Sequence, residues 1–456
     1  MSVIKGGARR DASAGPLRRG YKTYAFRIPH LSLGKIDFLA FLVAFFCAIA
    51  FSACRPTTSA RATGPLSQSG YLWQRDWTAP VANAFVEAQS HFDAITILGG
   101  EIVWENGKPR FVRSSIRWEL VAGAAKPITL ALRVAPFGGP FSRDDPNAQF
   151  IVKTAGTLLD DAAKENAKIA AFQVDFDCAQ KKLAGYREWL ATLRSAIAPT
   201  SLSITALPSW LDEPALNNLL GETDEYVLQV HSVPLRDENG RTTLCDPQFA
   251  RRAVERAAKL GHRFTIALPT YRCLGGYDAN GKLLGVAMDS VQPTWPSGTR
   301  VLEFASDPTA LAQLVADWKR DRPAAMQGVI WYRIPTDSDM RNWRWPTLNA
   351  VIQAREPTHK LEVASSGENP VDLELINSGE AEEQFTGEVS ASWSDAKLIA
   401  SDSVAGWRLQ TSDGRAVFTP EAQQPLRLLP GERRGIGWLR YERPAELELT
   451  LAPITR

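Results

Sequence analysis

From Phe172 to Asp177 the chain alternates apolar and polar residues without a break. Phe172, Val174 and Phe176 fall on one face of a strand, and Gln173, Asp175 and Asp177 on the other. Leu183 to Ile197 then follows with helical spacing. The pattern predicts a strand that carries two carboxylates to its C-terminal end and then enters a helix. A buried strand holds carboxylates only where they are paired or used.

The same reading extends along the chain. Strand-like runs fall near residues 71–77, 93–99, 128–137, 170–177, 202–209, 225–232, 263–271 and 326–334. Between most of them the periodicity is helical, as in Ala162 to Ala171, Phe249 to Leu260 and Leu311 to Trp318. Eight strands alternating with helices over about 285 residues predict a (β/α)8 barrel across residues 71–356. The rival, a doubly wound open sheet, carries a glycine-rich phosphate loop after its first strand, and the chain has none.

Period-two spacing sorts the faces. Thr129, Ala131 and Arg133 oppose Ile128, Leu130, Leu132 and Val134. Gln229 and His231 share a face. Thr265, Ala267, Pro269 and Tyr271 oppose Phe264, Ile266 and Leu268. Trp331 and Arg333 oppose Ile330, Tyr332 and Ile334. The first-named set in each case is expected to line the barrel and its mouth.

After about Glu356 the pattern changes to short alternating runs divided by turns such as Asn377-Ser378-Gly379 and Ser412-Asp413-Gly414. Residues 357–456 therefore read as a β-sandwich, an accessory domain that shields the barrel or binds glycan, packing being the simpler role. At the other end, residues 1–37 are basic and Phe38 to Ala53 is an uncharged run of 16 residues ending at Cys54. Residues 1–54 read as an export signal or anchor, and 55–70 as a linker. The run is slightly shorter than the ~20 residues of a bilayer-spanning helix. Either reading places the rest of the chain in the cell envelope, facing the periplasm or outer membrane, held by a lipid or an anchor helix.

Composition narrows the chemistry. A net charge of +2 argues against a general nucleic-acid binder. There is no Cys-x-x-Cys pair and no His-Glu-x-x-His, and His91, His231, His262 and His359 are widely spaced, so neither metal nor cofactor is expected. Cys245 and Cys273 both fall just past strand ends and could pair after export, leaving Cys178 free. Of 14 tryptophans, Trp73, Trp77, Trp210, Trp295, Trp331, Trp343 and Trp345 sit at strand ends or loops. Core packing accounts for most; a few suit platforms for sugar rings.

Two resemblances follow from these motifs. Phe172-Gln-Val-Asp-Phe-Asp177, then Tyr186, Trp189-Leu190 and Leu193-Arg194, Leu202-Ser-Ile-Thr205, Ala267-Leu-Pro-Thr-Tyr271 and Gly328-Val-Ile-Trp331 resemble the later strands of glycoside hydrolase family 18, the chitinase-like barrels. Tyr71-Leu-Trp-Gln-Arg-Asp-Trp77, Glu101, Leu132-Arg-Val-Ala-Pro-Phe137 and Gln173 to Asp177 resemble a bacterial family of predicted lipoproteins known as domain of unknown function 3142. The first resemblance implies a carbohydrate ligand or substrate. It also implies that the family's proton-donating glutamate position is Ala179, so the acid must come from elsewhere.

On this reading Asp177 is the principal catalytic carboxylate, Asp175 its charged neighbour and Glu101 the proton donor. Arg133 holds Asp175 ionised, and Trp73, Gln229, His231, Tyr271, Trp331 and Arg333 orient the sugar. The opposing reading is a lipoprotein that binds glycan, or serves as a scaffold, without cleaving.

Overall fold

The structure is a computed structural model that describes residues 60–453 apart from 233–234, 237–241, 289–293 and 423–424. The signal-like residues 1–54, with Cys54, lie outside the described residues. Among the described residues no helix is long and apolar enough to cross a membrane.

Eight parallel strands close on themselves: β1 (Ser67–Leu72), β2 (Ala94–Glu105), β3 (Ile128–Val134), β4 (Ile169–Phe176), β5 (Ser201–Ala206), β6 (Glu225–Gln229), β7 (Phe264–Pro269) and β8 (Met326–Tyr332). Each pairs with its neighbours in sequence, and β1 pairs with both β8 and β2, which closes the ring. A helix follows every strand: α1 (Ala79–His91), α2 (Trp118–Ala122), α3 (Pro146–Lys164), α4 (Leu183–Ile197), α5 (Pro214–Leu220), α6 (Pro247–Ala258), α7 (Pro308–Arg320) and α8 (Trp345–Ile352). This is the expected (β/α)8 barrel.

Local sequence sets these boundaries. Six helices open on a proline in their first turn, where the missing N–H costs nothing. Asp145, Asp246 and Asp307 cap α3, α6 and α7 by accepting from first-turn amides. The stretch from Ala162 to Ala171 departs from its helical reading. Helix α3 ends at Lys164, Asn166 takes a positive φ of 58°, and β4 has begun by Ile169.

Within the stretch read as a linker, residues 60–70 contribute structure. Arg61–Ala62 pairs with Arg322–Pro323, Arg61 bonds both Asp321 and Glu255, and β1 starts at Ser67.

Strand faces pack in two layers. Outward residues such as Ile95, Leu130, Phe172, Ile204, Phe264 and Leu268 bury against the helices in the main core. Tyr71, Val227, Ala267 and Ile330 form a small inner cluster. The alternation predicted for β3 and β7 therefore holds. On β8 it is inverted. Trp331 is fully buried in the outer core, and its Nε1 donates to Gln68 Oε1 at 2.8 Å. Ile330 and Tyr332 take the inward positions. The strand–helix layer has room for the indole and an acceptor for its N–H, which the pattern alone did not show.

Between β7 and α7 the chain makes an antiparallel sheet of Arg272–Tyr277, Leu283–Ala287 and Arg300–Ala305, joined by Thr242–Thr243 and Leu235–Arg236. Leu244, Tyr271, Cys273 and Phe304 form its buried cluster, against which Tyr277, Leu302 and Tyr332 pack. The expected pairing of Cys245 with Cys273 is not made. Both are free, as is Cys178; Cys245 points into the barrel core and Cys273 into the excursion sheet's own cluster.

Residues from Leu361 onward form two four-stranded antiparallel sheets and a two-stranded one. Leu373, Leu375 and Ile436 of one four-stranded sheet meet Val389, Ala391 and Phe418 of the other in a core separate from the barrel's. The barrel and this sandwich form one compact unit. A charged network joins them. Arg272 of the barrel excursion chelates Glu382 of the sandwich, with one contact at 3.1 Å. Arg427 of the sandwich reaches back to Glu303 at 2.9 Å.

Candidate active site

Three adjacent strands place three charged side chains at one level near the C-terminal end of the barrel. Glu101 on β2 is the Cα partner of Arg133 on β3, and Arg133 that of Asp175 on β4. The inward aim of Glu101 depends on a bulge. Leu98 pairs with Ala131, but Gly100 pairs with Leu132, so one residue is skipped and the parity of β2 shifts. Gly100 permits this. A Cβ there would meet the Phe111 ring and lie 2.6 Å from the Val112 carbonyl oxygen of the following hairpin strand.

Asp175 is a buried carboxyl. Its side chain is 14% exposed, and Arg133 Nη1 lies 3.8 Å from its Oδ2. Burial raises its affinity for a proton; Arg133 opposes that and the charge of Asp177 adds to it, leaving the carboxyl pushed up to about 6. Beside it, on the adjacent strand β5, Thr205 bonds to Asp175. The Tyr71 hydroxyl donates to Gln173 Oε1 at 2.9 Å. Asp177 lies one residue past the end of β4 and is exposed. Ala179 is exposed too, opening the short turn Gln180–Lys182, and supplies no acid.

An aromatic wall stands beside the row. Trp73, just beyond β1, meets Tyr71 edge-on at 5.2 Å and Tyr332 at 5.6 Å. Tyr332 also meets Tyr271 edge-on and His231 in a stack, both at 5.6 Å. His231 is buried with no partner for its Nδ1 among the described residues. Burial pushes it down to about 4, so it stands as a neutral imidazole near pH 7. Burial pushes the Tyr332 hydroxyl up to about 12. The Gln229 amide donates to the His231 carbonyl oxygen at 3.3 Å.

The structure thus gathers Asp175, Glu101, Arg133, Trp73, Gln229, His231 and Tyr271 at the mouth and sets Asp177 on its exposed rim. One expected residue, Trp331, is placed otherwise, whereas Arg333 stays beside Tyr271 and Tyr332. Trp331 is shut into the outer core, out of reach of any ligand at the mouth. Arg333 donates from Nε and Nη2 to buried Asp339, at 2.9 and 2.5 Å. Tyr71, Thr205 and Tyr332 were not singled out from sequence. Thr205 alternates inward within Leu202-Ser-Ile-Thr205 and was legible there, whereas Tyr332 was hidden by the inverted reading of β8. Among the described residues no group of three or more His, Cys, Asp or Glu could hold a metal ion.

The profile of a domain of unknown function, DUF3142, matches residues 126–337, from just before β3 to just past β8. The sequence resemblance to that family is met there; Tyr71 to Trp77 and Glu101 lie outside the match. A second domain of unknown function, DUF8456, matches residues 362–442 in the sandwich. No curated protein matches the chain. Among solved structures, a chitinase from Chromobacterium violaceum is 13% identical, covering 63% of this chain and 98% of its own, with a TM-score of 0.43. The spore cortex-lytic enzyme SleL of Bacillus cereus is 11% identical over 65% of this chain and 75% of its own, TM-score 0.43. A chitinase from Bacteroides thetaiotaomicron is 12% identical over 59% and 90%, TM-score 0.42. Likeness of this degree leaves the chemistry of the mouth to its own residues.

Proposed function

We propose that the protein is an exported, carbohydrate-active barrel of the cell envelope that cleaves a polysaccharide at its C-terminal mouth. The observation that carries this reading is the row Glu101–Arg133–Asp175 beside the wall of Tyr71, Trp73 and Tyr332. Glycoside hydrolysis generally takes one carboxyl that holds a proton and a second that stays charged. Burial lets Asp175 keep a proton up to about pH 6, which favours it as the acid over Glu101, the donor expected from sequence; Glu101, across Arg133, is then the partner carboxyl. Asp177 on the rim assists by repulsion and by contact with solvent-side hydroxyls. Trp73 offers a flat apolar face for a sugar ring, and neutral His231, Gln229 and Tyr271 complete the wall. The basic, then apolar, N-terminal segment ending at Cys54 supports export and a lipid or helix anchor.

A second reading, binding without cleavage, draws on Ala179, where the chitinase-like acid would stand. Release of reducing ends from a panel of bacterial and environmental polysaccharides separates the two. Cleavage is expected from the wild type. Asp175→Asn should lower it by roughly 10²–10⁴-fold, the usual worth of a general acid. Wild-type activity should fall as pH rises through about 6, where Asp175 gives up its proton. Retained binding with no release by the wild type on any polymer would establish the second reading.

A further inference from the structure

Barrels of this kind fill their interior with layers of branched apolar side chains. Here the N-terminal end holds a cavity of about 320 Å³ instead, whose wall includes Ser69, Thr96, Thr129, Gln173, Ser203 and Thr265. Gln173 stands one inward position below Asp175 on β4 and is 1% exposed. Ser203 is its Cα partner on β5. The Gln173 amide serves both ends of the barrel. Its Oε1 accepts from the Tyr71 hydroxyl, which reaches across from β1, at 2.9 Å. Its NH2 is left to the hydroxyl-lined cavity. The Tyr71 oxygen, itself buried, also bonds Thr205, and Thr205 bonds Asp175. A row of hydrogen bonds thus joins the mouth carboxyl to the floor: Asp175, Thr205, Tyr71, Gln173.

The sense of this row follows from its last acceptor. An amide oxygen only accepts, so the Tyr71 proton is committed to Gln173 and the Tyr71 oxygen accepts from Thr205. Thr205 has a single proton to give. With Asp175 protonated, the carboxyl donates to Thr205, Thr205 to Tyr71 and Tyr71 to Gln173, and each oxygen in the row is served. With Asp175 charged, Thr205 turns its proton to the carboxylate. The Tyr71 oxygen then loses its donor in a buried position, which disfavours the charged form. An amide that offered its NH2 to Tyr71 would reverse every bond and favour the charge.

The other groups that face Asp175 act through charge. Arg133 on β3 favours its ionisation, and Asp177 past β4 and Glu101 on β2 oppose it. Tyr332 on β8 and Tyr186 on α4 are raised above the ordinary phenol range and stand neutral beside it. Gln173 carries no charge, so it reaches Asp175 only through the bonds between them.

We propose that Gln173 is a positioning residue for Asp175: by accepting from Tyr71 it sets the sense of the row and keeps the proton on the carboxyl at the mouth. The proposal rests on the reading of Asp175 as the acid for its use in cleavage, though not for its test. It also gives the polar floor a purpose. Small hydroxyl residues where branched ones are usual supply acceptors to the amide NH2 and so hold Oε1 toward Tyr71.

Titration of Asp175 in the full chain tests this with no polymer present. The probe is the carbon NMR signal of the side-chain carboxyls in protein labelled at aspartate, and Asp175→Asn identifies the resonance. Tyr71→Phe removes only the hydroxyl, and Gln173→Met removes the acceptor at similar size. Each is expected to lower the proton affinity of Asp175 about five- to tenfold, the worth of one hydrogen bond. The double variant should fall no further than either alone, because both cut one row. An Asp175 that titrates in Tyr71→Phe as in the wild type overturns the proposal. So does one that holds its proton more tightly in Gln173→Met, since the amide would then be donating, and so does a double variant in which the two effects add. Should Gln173→Met fail to fold, the sign in Tyr71→Phe decides: a weaker proton for an accepting amide, a tighter one for a donating amide. The polysaccharide panel decides the carbohydrate reading separately.

Discussion

Asp175 and His231 are both buried at the mouth, and burial moves them in opposite senses. Asp175 is raised from 3.8 to about 6, so the folded protein holds its proton more tightly than the unfolded chain. Its contribution to stability therefore falls as pH rises between about 4 and 6. His231 is lowered from 6.5 to about 4, so the unfolded chain holds that proton more tightly. Its contribution rises with pH from about 4 to 6.5 and is lost as pH falls through 4. The two slopes oppose each other over nearly the same window, each about 1.4 kcal/mol per pH unit at most. Urea unfolding at pH 4.5 and 6.5 separates them. Relative to the wild type, Asp175→Asn should gain stability from low to high pH, and His231→Gln should lose it. Parallel profiles for the two variants would show that neither group is held as described.

At the scale of elements, the bulge in β2 governs the site. Gly100→Ala forces a Cβ against Phe111 and the Val112 carbonyl oxygen, at a cost of about 2 kcal/mol. Because the bulge sets the parity that turns Glu101 inward, the same change should cut turnover more than the loss of stability explains. Chemical denaturation and reducing-end assays on one preparation measure both. This feature also marks where sequence stops being legible. Strict alternation in Phe264 to Leu268 and in Thr129 to Arg133 gave the inward faces of β7 and β3 correctly, since the register shifts against their neighbours fall at Phe264 and Ile128, the first residues of those strands, or on the neighbouring β2. Glu101 could be named a candidate, but its direction comes from a skipped residue opposite Leu132, which no pattern of apolar positions records. On β8 a large aromatic fits the outer layer as well as the mouth, and only the Gln68 acceptor, far off in sequence, decides between them. The row of Arg133 and Asp175 was legible because it needs only two parallel strands in simple register.

At the scale of the whole molecule, barrel and sandwich keep separate cores and are joined by ion pairs and by the Thr347 hydroxyl, which donates to the Glu380 carbonyl oxygen. Arg272 is 11% exposed and Glu382 21%, and the pair is chelated. Removing one partner of such a pair strands the other. Arg272→Met should lower the unfolding midpoint, by an amount equivalent to about 2 kcal/mol, and split one thermal transition into two as the sandwich loosens from the barrel. Differential scanning calorimetry would show it; a single transition at the wild-type temperature would mean that the remaining contacts, Arg427 with Glu303, Arg355 with Glu380 and Thr347 with the Glu380 carbonyl oxygen, hold the junction.

The seam between β1 and β8 ties Ser69 to Val329 across 260 residues, and Trp331 to Gln68 across 263. During synthesis β1 is among the first strands to leave the ribosome and among the last to be paired on both sides. Until Met326 to Tyr332 emerges, the nascent barrel is an open sheet with two bare edges, a template for joining other chains. Closing so long a loop is slow, so the hazard lasts. Chains stopped short of β8 should aggregate rather than accumulate as soluble fragments. In the intact protein, the moment of closure is the moment the Trp331 indole leaves water, and its fluorescence is the natural clock for that step.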